Sequence, residues 1–301
     1  MVLKKNIKMI KTRKHQAFSL IEISVVIVII GILIAGISNG IDLYQDYRLT
    51  SARNFTKNSP VSRIPDLKLW LETTSEKAFK IGTTTNIKDY QNIALPNDQQ
   101  DIGVWQEDVA TKYPQEIAYQ MNNFKPNYVK KGIGGLPSLY FDGNGDFMSF
   151  DGSLLSVWED GFTIFVVERR TALPTVDTYQ FLLSSSAISV GYNNATWIRI
   201  KAVGVSGFGV IGDKKNQDRI HCYYQNVRDS AAKMSVNKKI HSEYSSGLAS
   251  MNIGTGTAQI AQYSSYTGLI SEIIIFARPL STKELENIHL YLSNKYKIRL
   301  E

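Results

Sequence analysis

The chain has 301 residues, 43% of them apolar, with 34 Lys and Arg against 27 Asp and Glu, four His and a single Cys. One thiol, Cys222, cannot close an intramolecular disulfide, and no C-x-x-C or H-E-x-x-H spacing gathers zinc ligands, so neither staples nor structural zinc are expected to hold the fold. The formal charge of +7 suggests nucleic acid only until it is located: Lys4, Lys5, Lys8, Lys11, Arg13 and Lys14 precede Ala17 with no acid among them, the remainder is nearly neutral, and no nucleic-acid partner is expected.

The stretch from Phe18 to Ile37 carries one charge, Glu22, in an otherwise apolar run. At ~1.5 Å per residue it would extend about 30 Å as a helix, one hydrocarbon thickness. Cations crowd its N-terminal flank while Asp42 and Asp46 follow it, so the positive-inside rule keeps the start cytoplasmic and exports the rest. Glu22 does not suit a plain anchor, because a carboxylate within the hydrocarbon costs roughly 2.5–3.5 kcal/mol unless it finds a partner.

Ala17-Phe18-Ser19-Leu20-Ile21-Glu22, ahead of that run, resembles the processing site of type IV pilins and of type II secretion pseudopilins. The resemblance covers roughly the first forty residues. It implies a basic leader, 1–17, cut between Ala17 and Phe18 by a prepilin peptidase, and N-methylation of the new Phe18 terminus. It also implies assembly with other pilin or pseudopilin subunits, in which Glu22 attracts a neighbour's terminal amine. A buried carboxylate and ammonium relieve each other's desolvation only when they meet. Ala precedes the cut where the family usually has Gly. Two alternatives stay open: a secretory signal cleaved after Gly36-Ile37-Ser38, and an uncleaved single-span anchor.

Past the span, Ile41, Tyr44, Tyr47, Ser51 and Phe55 recur at helical spacing, so the helix is expected to continue and to stop before Pro60, with its aromatic stripe packed on the head or turned to a partner in a fibre. Residues 18–59 thus form the transmembrane and stalk helix, and 60–301 the head.

The head reads as β structure. Short β-branched and aromatic runs bounded by turn residues recur at 67–71, 139–141, 147–150, 162–167, 179–183, 188–192, 197–200, 220–224 and 269–276. A late helix is signalled by Ser281 with Glu284 three residues on, followed by Leu285, Ile288, Leu292 and Tyr296 on one face. Ile64-Pro65-Asp66-Leu67-Lys68-Leu69-Trp70-Leu71, Val104-Trp105-Gln106, Lys125-Pro126-Asn127-Tyr128-Val129, Leu139-Tyr140-Phe141-Asp142-Gly143 and the closing Leu269 to Phe276 segment resemble the concanavalin A-like lectin and laminin-G-like superfamily. The resemblance spans 64–298, with no landmark from about 200 to 260. It implies a mainly β fold: a jelly-roll sandwich of two antiparallel sheets with a C-terminal helix, often a carbohydrate or surface-protein binder.

No alternating acidic strand supplies the close carboxylate pair of retaining glycosidases, and Glu168 and Glu272 stand isolated, so no enzyme activity and no catalytic residue are expected. Asp142-Gly143-Asn144-Gly145-Asp146 fails as an EF-hand loop, with Phe147 where Gly and Ser153 where Glu is needed, and reads as a tight hairpin turn. No cofactor is expected, calcium having no support. Trp70, Trp105, Trp158 and Trp197 read chiefly as core, and Cys222 as a buried small hydrophobe. The favoured function is a membrane-anchored pilin-like surface protein, in a type IV pilus or a type II secretion pseudopilus, with a lectin-like head for adhesion. The alternatives are a structural secretion component whose head binds nothing, and a single-span anchored β-sandwich.

Overall fold

The computed structural model describes residues 19–82, 86–107, 117–120, 122–174, 179–202, 205–212, 214–244, 251–261 and 266–301. Two compact units are present, Met1–Tyr47 and Arg48–Glu301. A long helix, α1 (Leu20–Lys57), begins in the first and ends in the second. It stops just before Asn58-Ser59-Pro60, as the breaker cluster predicts.

The strands in chain order are β1 (Leu67–Glu72), β2 (Phe79–Ile81), β3 (Gln91–Ile93), β4 (Val104–Gln106), β5 (Ile117–Tyr119), β6 (Asn127–Val129), β7 (Ser138–Asp142), β8 (Met148–Asp151) and β9 (Gly161–Arg170). There follow β10 (Gln180–Ser184), β11 (Ile188–Tyr192), β12 (Trp197–Ala202), β13 (Val205–Val210), β14 (Arg219–Asn226), β15 (Ala231–Val236), β16 (Lys239–Tyr244), β17 (Thr257–Ile260) and β18 (Thr267–Phe276), and then helix α2 (Thr282–Tyr296). They build two antiparallel sheets. The first runs β16-β15-β14-β9-β18-β7-β6, with β1 also on β18; the second runs β13-β12-β11-β10-β17-β8-β5-β4-β2-β3. This is the mainly β, two-sheet architecture with a C-terminal helix that the sequence resemblance implies.

The first sheet is covered on both faces, which is why its central strands read as unbroken apolar runs. In β9, Phe162, Ile164 and Val166 enter the core between the sheets, while Phe165 and Val167 join a second core beneath α2. Trp70, Ile274, Ile288, Leu292 and Tyr296 fill that second core together with Ala52 of α1. Helix α2 starts as its sequence signals: the Ser281 side chain accepts the Glu284 N–H while Glu284 accepts from the Ser281 backbone.

Strand β18 pairs with β9 along most of its length, with β7 at its start and with β1 at its end. A register shift between Ile270 and Glu272 leaves Ser271 as a bulge. The bulge moves the alternation on by one residue, so Ile270 and Ile273 both face the inter-sheet core and Glu272 turns toward α2. The Ser271 hydroxyl lies 2.6 Å from that of Ser138, which anchors the irregularity.

One expectation needs correction here. Asp142 to Asp146 does form a tight turn, with φ of 74° at Gly143 and 121° at Gly145, but it is not a hairpin. It joins β7 to β8, which lie in different sheets, so the turn carries the chain from one layer to the other. The segment from 200 to 260, without landmarks in the sequence, supplies β13 to β17.

Candidate functional site

The N-terminal segment is the best-defined functional element. Ala17 and Phe18, the expected cut and methylation positions, lie outside the described residues. Helix α1 opens at Leu20, and its first turn is held reciprocally: the Ser19 hydroxyl accepts the Ile21 N–H at 3.3 Å, and Glu22 Oε2 accepts the Ser19 N–H at 2.8 Å. Within its own chain Glu22 therefore caps its own helix, where a carboxylate is also favoured by the helix dipole. The Ser-x-x-Glu spacing announces this cap, and the sequence reading passed over it. From Leu20 to Ile37 the helix has a mean hydropathy of 2.9 with none of that surface buried, so it is long and apolar enough to cross a membrane.

The expected stripe on the later turns is corrected by one step around the helix. Ile41, Tyr44, Tyr47 and Phe55 are exposed. Among the side chains that engage the head are Arg48, whose guanidinium donates to the Gly134 carbonyl at 2.6 Å, Ala52, Arg53, whose Nε donates to the Thr74 carbonyl at 2.8 Å, and Thr56, whose hydroxyl lies 3.3 Å from Tyr291 Oη, while Lys297 of the head stands 6.0 Å from the Phe55 ring. Ala52 and Thr56, small residues at i and i+4, share one face of the helix.

The carboxylates read as isolated each anchor a buried network. Glu272 and Glu72 converge on Lys295, whose Nζ donates to them at 2.8 and 2.9 Å. Glu272 further accepts from Trp70 Nε1 at 2.8 Å, Tyr291 at 2.8 Å and Tyr296 at 2.9 Å. Burial acts to raise the Glu72 carboxyl, but the Lys295 charge and the Thr74 hydrogen bonds outweigh it and hold it below its ordinary value.

Glu168, on β9, accepts from Tyr192 Oη at 2.5 Å, His221 Nε2 at 2.9 Å and Tyr266 Oη at 2.7 Å, with Arg219 Nη1 at 3.5 Å. Burial would raise its carboxyl; the His221 hydrogen bond and the Arg219 charge bring it down to about 2. Burial holds His221 below its ordinary value, and its Nδ1 lies 3.2 Å from the Tyr223 hydroxyl. Both networks are sealed from solvent and tie elements together. Cys222 is buried, as expected, and burial pushes its thiol up to about 12.

The four tryptophans divide. Trp70 and Trp105 are buried and Trp158 packs on the inter-sheet core, but Trp197 is 40% exposed, on the outer face of the second sheet. There one rung crosses four strands: Phe181 of β10 faces Gly191 of β11, which faces Arg199 of β12, which faces Phe208 of β13. Tyr179 stacks on Phe181 with ring centroids 5.4 Å apart and planes at 17°. The Arg199 guanidinium lies 4.5 Å from the Tyr179 ring and 5.0 Å from that of Phe208. Trp197 meets Phe208 edge-on at 5.9 Å.

Residues 12–38 match the prokaryotic N-terminal methylation motif. The chain thus joins a prepilin-type N-terminal segment, a motif that implies a prepilin peptidase and pilin subunits as partners, to a two-sheet β-sandwich head. No curated protein matches the chain. Among solved structures it is similar to a Trypanosoma rangeli sialidase in complex with 2,3-difluorosialic acid, at 12% identity over 85% of this chain and 39% of that one, with a TM-score of 0.48. It is also similar to the binding domain of botulinum neurotoxin serotype G (14% identity, 59% of this chain and 48% of that one, TM-score 0.41). A third is domain 4 of AbnA, an arabinanase of Geobacillus stearothermophilus in complex with arabinotriose (13% identity, 55% and 81%, TM-score 0.40). The chain spans well under half the length of the sialidases it matches.

The expectation that the head is no enzyme is withdrawn. Its basis was the missing carboxylate pair, yet sialidases stand among the similar structures. Similarity at this level concerns the fold alone and speaks neither for catalysis nor against it.

Proposed function

We propose that this protein is a membrane-inserted prepilin-type subunit, cut before Phe18 and methylated there, that assembles through α1 into a type IV pilus or a type II secretion pseudopilus and displays its head for adhesion. The observation that carries this reading is the methylation motif at 12–38, which takes in the fully exposed apolar helical stretch Leu20–Ile37. A helix with no buried surface of its own needs lipid or neighbouring helices around it. The exposed Ile41, Tyr44, Tyr47 and Phe55 supply a further apolar stripe for neighbours in the fibre. In assembly, Glu22 exchanges its cap on Ser19 for the terminal amine of an adjacent subunit, trading a neutral donor for a charged one.

Mass spectrometry of the protein from membranes and from the sheared surface fraction tests the processing. A methylated Phe18 terminus is expected, whereas an intact Met1 or a start at Asn39 would overturn it. Glu22→Ala should leave the protein in the membrane and reduce its share in sheared filaments at least tenfold; undiminished incorporation would remove the assembly role of Glu22.

A further inference from the structure

The Phe181-Gly191-Arg199-Phe208 rung takes no part in holding the two sheets together, since its side chains lie on the face opposite the inter-sheet core. Its construction is specific nonetheless. Gly191 has φ 151°, and a side chain there would meet the Gln180 carbonyl and the Leu182 nitrogen at 2.5 Å, so the position has to stay bare. The Arg199 guanidinium, opposite Gly191 in the register, lies against the rings of Tyr179 and Phe208. Arg199 is more than nine-tenths buried, and its Nε has no hydrogen-bond partner. The side-chain oxygen of Asn193 stands 3.4 Å from Nη1. Among the described residues the ion pairs formed by arginines involve Arg53, Arg169, Arg219, Arg228 and Arg278, and none reaches Arg199. A cation lodged against aromatic faces with no carboxylate beside it among the described residues is an incomplete ion pair. Lys201, two residues on along the same face of β12, is exposed and adds a second positive charge. Trp197 and Val210, exposed and opposite one another across β12 and β13, give an apolar shelf at the end of the rung.

We propose that this face is a binding site for a carboxylated pyranose, a hexuronic-acid type of sugar. The apolar face of the ring packs on Trp197, and its carboxylate completes the pair with Arg199, assisted by Lys201. An aromatic shelf suits the C–H face of a sugar ring, and a planar guanidinium suits a carboxylate; together they select an acidic sugar over a neutral one. The proposal rests on reading the head as the displayed, ligand-binding part of the subunit, and names the ligand class and the site.

The test uses the full-length chain in detergent micelles, passed over surfaces bearing oligosaccharides that end in glucuronate or, as the neutral counterpart, in glucose. Retention on the glucuronate surface and not on the glucose surface is expected. Trp197→Ala, at an exposed position, should weaken retention about tenfold with the melting temperature unchanged. Arg199→Lys, which keeps the charge and loses the fork, should narrow the preference for glucuronate over glucose. Equal retention on both surfaces, no retention on either, or undiminished retention by Trp197→Ala would each refute the site. So would loss of self-association by Trp197→Ala in sedimentation without sugar binding by the parent, since the face would then be a contact between copies. The mature N-terminus is determined on the same preparation: methylated Phe18 without sugar retention refutes the ligand alone, and sugar retention by an unprocessed chain refutes the filament reading alone.

Discussion

Asp146 shows how a single side chain sets a pH dependence. Its carboxyl sits in the turn between the sheets, accepts the Asp142 N–H at 3.0 Å, and is raised to about 6 by burial and by the nearby charges of Asp142 and Asp101. The folded chain therefore holds this proton more tightly than the unfolded chain, whose ordinary value is 3.8. Stability contributed here falls as pH rises from about 4 to about 6 and is flat above. Asp146→Asn keeps an acceptor for the Asp142 N–H and removes the charge, so at pH 7.5 it should stabilise the protein by about 1–3 kcal/mol. Urea unfolding at pH 4 and pH 7.5 checks this, because the gain should vanish at the lower pH. Glu168 acts with the opposite sign: lowered to about 2, it contributes stability above pH 4.5 that is lost as pH falls toward 2.

Among the secondary elements, the attachment of α2 to the first sheet depends on charges drawn from distant parts of the chain. Lys295 of α2, fully buried, meets Glu72 of β1 and Glu272 of β18, and the bulge at Ser271 is what turns Glu272 toward it. Lys295→Met leaves two buried carboxyls without their cation and should cost about 3–5 kcal/mol. Combining it with Glu72→Gln and Glu272→Gln should recover part of that loss, as read by urea denaturation at neutral pH. A triple variant no more stable than Lys295→Met alone would show that lost packing, not unpaired charge, sets the cost.

The same elements show what the sequence conveys. Helix α2 was legible because its capping box and its apolar face are local, and β9 and β18 because strands buried on both sides are apolar throughout. The strands β13, β15 and β16 escaped because Gly207 and Gly209, and Lys233, Ser235, His241 and Glu243, dilute any apolar run. The Lys295 network and the Arg199 rung were beyond reach for a different reason. Each is a matter of register between separate strands, and one slip of register reverses which residues share a face. The methylation motif, by contrast, is a contiguous stretch of residues, so it was open to direct reading.

Across the molecule, charge is concentrated in the leader, where six cations of a net +7 precede Ala17. Processing before Phe18 should therefore convert a basic precursor into a nearly neutral subunit. In isoelectric focusing, protein from sheared filaments should run at a clearly lower pH than the membrane precursor. Identical positions would mean that the leader is retained.

The central placement of β18 bears on the order in which this head is completed. Leu67 near the start of the sandwich pairs with Phe276 near its end, and β9 and β7 lean on the same strand. If the chain start stays cytoplasmic and the head crosses the membrane in sequence order, β1, β7 and β9 all emerge before the strand that joins them. Until residues 267–276 arrive, each exposes an open edge of unpaired backbone, a template for pairing with another chain. Closure of the first sheet thus waits on nearly complete translocation, and long-range pairing of this kind is slow. An exported head built in this way has to be shielded during synthesis, and a chain truncated before Thr267 is expected to aggregate rather than to form a smaller sandwich.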